Sequence, residues 1–143
     1  MSKIVGRGLS SALIVAVCMF GTQGSFAVGP PGVVTLTGDD EVPVVKTSAT
    51  GGGSITVGAD KSVKGSVTTS NIAATAAHIH VGAAGANGPV IIPLTKKGDN
   101  EWVLPEGAKL SDDQFQSFNA GNLYVNVHST ANPGGEIRAQ IKP

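Results

Sequence analysis

Cysteine is all but missing from this 143-residue sequence, in which Cys18 stands alone. Aromatic residues make up 4% and charged residues 14%, while 41% of the chain is hydrophobic. That hydrophobic share excludes a highly charged disordered chain, which cannot bury enough apolar surface to fold. A basic excess is lacking as well, with ten Lys+Arg against ten Asp+Glu. Nucleic-acid binders gather positive charge against the phosphate backbone, so this balance argues against one. No apolar run reaches the roughly 20 residues that a membrane-spanning helix needs. What the sequence has in plenty is turn chemistry, with 20 Gly and 8 Pro in a length that suits one domain.

The first 27 residues read as an export signal rather than as part of the fold. Lys3 and Arg7 give a positive start, Ser11 to Phe20 an apolar run, and Ser25-Phe26-Ala27 a small-residue cleavage site. Cleavage after Ala27 predicts a domain of residues 28–143, periplasmic or secreted, with ten acidic and eight basic side chains. Removal of Cys18 leaves no thiol. Disulfides, thiolate ligands and cysteine nucleophiles are thereby excluded, and the domain must stand on its core, with or without a metal.

Helical periodicity is absent from most of residues 28–143. Short alternating or β-branched runs separated by Gly, Pro, Asn and Asp predict an all-β fold. The expected strands are Val33–Thr37, Gly53–Val57, Ser62–Thr68, Ala76–Val81, Val90–Leu94, Glu101–Leu104, Asn122–His128 and Glu136–Ile141. About eight antiparallel strands suit a sandwich or a small barrel. Turns are expected at Gly51-Gly52-Gly53, Asn87-Gly88-Pro89, Gly98-Asp99-Asn100 and Asn132-Pro133-Gly134-Gly135. One short helix is expected after the capping box Ser111-Asp112-Asp113-Gln114, with Phe115 and Phe118 on one face and a stop at Asn119-Ala120-Gly121.

The chemistry concentrates in three histidines. His78-Ile79-His80 lies on an expected strand, so both imidazoles project from one face while Ile79 and Val81 take the other. His128 ends a strand on which Val125 and Val127 face the core and Tyr124, Asn126 and His128 the opposite side. The last strand repeats this, with Ile137, Ala139 and Ile141 inward and Glu136, Arg138 and Gln140 outward. A hairpin through Thr130 to Gly134 brings His128 near Glu136 and Arg138. Three imidazoles from two strands form a workable ligand set for copper or zinc, leaving a coordination position open. Asn126, Glu136 and Arg138 are the candidates to support such ligands. The same residues also read as a surface pair or a structural polar cluster, with Glu136 and Arg138 a solvated ion pair.

Other motifs say less. Gly82 to Gly88 is glycine-rich, but no helix follows it, so it reads as a tight loop beside the histidine pair rather than a phosphate cradle. No nucleophile-elbow motif accompanies the serines, so no catalytic residue is assigned. Trp102 and Tyr124 read as core or rim residues.

Three stretches carry a family resemblance. His78-Ile79-His80-Val81-Gly82, Gly85 and Gly88-Pro89-Val90 resemble the central motif of CHRD domains, the repeat named after chordin. Ala120 to His128 with Asn132-Pro133-Gly134-Gly135-Glu136-Ile137-Arg138-Ala139-Gln140 resembles the closing signature, and Leu36-Thr37-Gly38 with Glu41-Val42-Pro43 the opening one. Val44, Ser129 and Ala139 depart from the usual proline, threonine and glycine. The resemblance implies an immunoglobulin-like β-sandwich in a single-domain exported protein of the bacterial type. A more distant similarity, at the level of the fold, is to the β-sandwich of copper–zinc superoxide dismutase. There an H-x-H copper pair, a later strand histidine and a near-terminal arginine occur in the order of His78, His80, His128 and Arg138. This chain has no bridging histidine, no zinc-ligand set and no disulfide pair.

Three functions follow as expectations. The first is an exported binding module holding one copper or zinc ion through His78, His80 and His128. The second is an extracellular protein-interaction or matrix module in which the cluster is structural. The third is a metal-dependent redox enzyme in which Arg138 attracts a small anion.

Overall fold

A computed structural model describes residues 32–143; the export signal expected over residues 1–27 lies outside them. Among these residues nine strands form two antiparallel sheets, with one α-helix between the seventh and eighth strands: β1 (Val33–Leu36), β2 (Thr50–Val57), β3 (Val63–Ser70), β4 (Ala74–Val81), β5 (Val90–Pro93), β6 (Thr95–Lys96), β7 (Glu101–Val103), α1 (Asp112–Asn119), β8 (Leu123–Ser129) and β9 (Ile137–Ile141). The first sheet runs β1-β2-β3-β7-β6 and the second β5-β4-β8-β9. This is an all-β sandwich, one of the two architectures that the alternation allows and the one that the family resemblance implies. Among the described residues no helix is long and apolar enough to cross a membrane.

Burial follows the strand period. Leu36, Ile55 and Val67 of the first sheet meet Ile79, Val125, Val127, Ile137 and Ile141 of the second in one buried core. Burying each such side chain contributes about 1.5–3 kcal/mol, which lets a chain without disulfides hold its fold. The helix is capped as its sequence dictates. Ser111 Oγ accepts from Gln114 N–H at 3.2 Å, and Gln114 Oε1 accepts from Ser111 N–H at 2.9 Å. Phe118 is buried and Phe115 packs partly beneath it.

Two expectations are corrected. Gly51-Gly52-Gly53 is not a turn but the interior of β2, paired on both sides. The approach there is close: a Cβ on Gly53 would stand 2.0 Å from the Ser66 carbonyl oxygen. Strand β6 has no counterpart in the sequence reading, because two exposed polar residues carry no alternation. It pairs with β7 across the expected Gly98-Asp99-Asn100 turn.

The two sheets also meet at their margin. Beyond β1, Thr37 N–H donates to the Arg138 carbonyl at 3.1 Å, and Arg138 N–H to the Thr37 carbonyl at 2.9 Å. The outer edge of β9 is therefore covered where Arg138 sits.

Candidate metal centre

The face of the second sheet that points away from the core carries the polar residues singled out above. Register places Asn126 opposite His78, Tyr124 opposite His80, and His128 opposite Ala76. On the far side of β8, Arg138 pairs with Asn126 and Gln140 with Tyr124. Directly paired residues share a face, so these side chains form one continuous patch. The middle of the patch is shielded from solvent. Asn126 is 2% exposed and Arg138 1%, beneath polar loop segments that the alternation cannot reveal.

The three histidines converge. One ring nitrogen from each of His78, His80 and His128 lies within 4.8 Å of the others. His78 Nδ1 stands 3.0 Å from His128 Nε2. Three nitrogens on a tetrahedral ion at ~2.0 Å stand about 3.3 Å apart, so small side-chain rotations close the set.

Two loop carbonyls fix the imidazoles. His80 Nδ1 lies 2.9 Å from the Gly88 carbonyl oxygen, and His128 Nδ1 lies 2.8 Å from that of Pro133. A carbonyl only accepts, so each Nδ1 carries the proton and each Nε2 keeps its lone pair. Among the described residues, buried His80 Nε2 has no hydrogen-bond partner. Outer-sphere carbonyls hold metal-ligating imidazoles in this way. Burial, then the neighbouring His128 and His80, hold His78 below the usual imidazole range. Burial lowers His80 as well, with the Gly88 carbonyl partly opposing. Both rings are thereby kept neutral, the form that binds metal.

The structure separates the three supporting residues. Asn126 lies beside His78 within the patch. Glu136 and Arg138 are no solvated ion pair: Glu136 is 8% exposed, and among the described residues no salt bridge joins them. The Glu136 carboxylate accepts from Thr47 Oγ1 at 2.6 Å and from Ser129 Oγ. Burial pushes its carboxyl up, but the hydrogen bonds of Ser129, Thr47 and Asn132 outweigh that and leave it below the usual range. Glu136 thus braces the turn that presents the Pro133 carbonyl, rather than touching His128.

Arg138 braces the other loop. Its guanidinium donates to the Ala83 and Ala86 carbonyls at 3.0 and 2.8 Å and to Gln140 Oε1 at 3.2 Å. It lies 3.4 Å from the centre of the Tyr124 ring, which stacks on His80 at 4.6 Å between centroids. Tyr124 is therefore the middle of a cation–ring–imidazole stack, a role beyond core or rim. Trp102 is core, as expected.

One residue of this region escaped the sequence reading. Glu41 is 4% exposed, and burial raises its carboxyl, with Arg138 the chief opposing charge. Nothing distinguishes it in sequence from its neighbours Asp39 and Asp40, which are exposed. Only its place in the opening motif marked it.

Neither the curated proteins nor the solved structures contain a match to the chain. The CHRD domain family model matches residues 33–141, from the first strand to the end of the last, and takes in all three histidines. The chain belongs to the CHRD domain family.

Proposed function

We propose that this CHRD domain is an exported binding module whose His78, His80 and His128 hold one copper or zinc ion. The observation that carries the reading is the pair of carbonyl-locked imidazoles, which leaves the Nε2 lone pairs of His80 and His128 beside His78. Imidazole nitrogens are good ligands for either metal, and a three-histidine set leaves a position for water or a further donor. Bound there, the ion supplies a fixed positive charge and a Lewis-acidic position. The chain's own contribution is to orient the rings and to keep those of His78 and His80 neutral.

Metal content decides it. Purified protein equilibrated with copper or zinc and then desalted should retain about one ion per chain, and His128→Ala should lose it. Equal retention in the variant, or none in the parent protein, overturns the reading.

A second reading has one observation in its favour: the His78–His128 contact at 3.0 Å is itself a satisfying hydrogen bond without any ion. The cluster would then be a structural element of an extracellular protein-interaction module. In that case His78→Ala lowers the melting temperature and leaves metal retention at background. For a redox enzyme drawing a small anion to Arg138 no observation speaks, since that guanidinium is turned to backbone carbonyls and to Tyr124.

A further inference from the structure

We propose that Asn126 supplies an amide-oxygen donor to the same ion, its amide turned toward the histidines by the buried carboxylate of Glu41. This rests on the metal reading above. Asn126 faces His78 directly across β4 and β8 and precedes His128 by two residues, so its side chain shares their face.

Four buried side-chain polar atoms lack a hydrogen-bond partner among the described residues: Glu41 Oε1, His80 Nε2, Asn126 Oδ1 and Trp102 Nε1. Buried polar atoms rarely go unpaired. Three of these four belong to one place, because the Asn126 side chain lies against both Glu41 and His80.

Proton accounting shows what is missing there. Neutral His80 has one proton, and Gly88 takes it at Nδ1. His80 Nε2 and Asn126 Oδ1 are then both acceptors, with no hydrogen between them. A cation satisfies both lone pairs at once.

The other end of the amide explains its orientation. Asn126 Nδ2 is turned to the Glu41 carboxylate where Gly135 has no side chain: a Cβ on Gly135 would stand 2.5 Å from both Nδ2 and Glu41 Oε1. With its donor end beside this carboxylate, the amide leaves its oxygen for the histidine side. Three imidazoles and one hard oxygen suit Zn(II) or Cu(II) better than the softer Cu(I).

The test titrates the full protein with Zn(II), and separately with Cu(I), against competing chelators. Asn126→Leu should weaken Zn(II) binding by at least about tenfold and change Cu(I) binding by less than about threefold. Asn126→Asp, which keeps an oxygen in place, should bind Zn(II) at least as tightly as the parent. The Cu(II) electron paramagnetic resonance spectrum should change in the leucine variant and keep its form in the aspartate variant. Undiminished Zn(II) binding by the leucine variant overturns the proposal while His128→Ala still loses metal. Equal tenfold weakening in the aspartate variant also overturns it, since Nδ2 rather than Oδ1 is then the group the site needs. If the leucine variant does not fold, the aspartate variant alone decides. Absence of binding by the parent protein overturns the metal reading itself.

Discussion

His80 commits one ring nitrogen to a loop carbonyl and His78 packs against two other imidazoles, and burial sets the protonation of both. His78 and His80 both titrate below the ordinary imidazole value in the folded chain. Between that lowered value and about 6.5, the unfolded chain binds more protons than the folded one. Stability therefore rises with pH across this window and is lost as pH falls below about 6.5. Melting temperatures of the metal-free protein between pH 7.5 and 5.5 should drop on the acid side, and His78→Gln should flatten the curve. Glu41 works in the opposite sense: its raised carboxyl favours the neutral form, and that stability is lost as pH climbs past the raised value. A Gly88→Ala change tests the acceptor instead. The added Cβ would fall 1.6 Å from the Val81 carbonyl oxygen, so the loop must move and take the Gly88 carbonyl away from His80. Metal retention should fall in that variant, measured after equilibration and desalting.

At the scale of elements, β9 braces the histidine cluster without contributing an imidazole. Its Arg138 holds the loop between β4 and β5, whose Gly88 carbonyl aims His80. Just before it, Glu136 and Ser129 hold the turn between β8 and β9, whose Pro133 carbonyl aims His128. Asn132 N–H adds a bond to Ser129 Oγ at 3.1 Å. Each carbonyl is thus set by a charged side chain one step further out. Arg138→Met removes the donors to Ala83 and Ala86 while keeping much of the stem's volume. It should cost about 2–4 kcal/mol in urea unfolding, as losses of buried charged hydrogen bonds do. Ser111→Ala, at the cap of α1, should cost about 1 kcal/mol by the same measurement and leave metal retention unchanged, since the helix supplies nothing to the patch.

Across the whole molecule, what the sequence revealed was whatever obeys a period. Alternation put Val125, Val127, Ile137 and Ile141 in the core and the histidines on the opposite face, and both placements hold. Alternation says nothing about what lies over a face. Hence Glu136 and Arg138 read as solvated although both are buried, and Glu41 passed as one more loop acid. The glycines of β2 misled for a related reason: composition suggests a turn, whereas the requirement is room for neighbouring backbone. The shared core remains the main source of stability. Ile79→Ala, between the histidines yet on the inner face, should cost about 2–5 kcal/mol and weaken the metal site only through unfolding.

The Thr37–Arg138 backbone pair draws these scales together. It ties the start of the described chain to its last strand, at the residue whose side chain steadies the His80 loop. The histidine cluster is accordingly built from non-local contacts: His78 and His128 sit 50 residues apart in sequence, and the Thr37–Arg138 pair joins the first and last segments of the described residues. An ion arriving before folding would meet scattered imidazoles; one arriving after it would meet a finished cluster. Metal would then add stability by mass action on a completed fold, and a chelator should strip it without altering the circular dichroism spectrum.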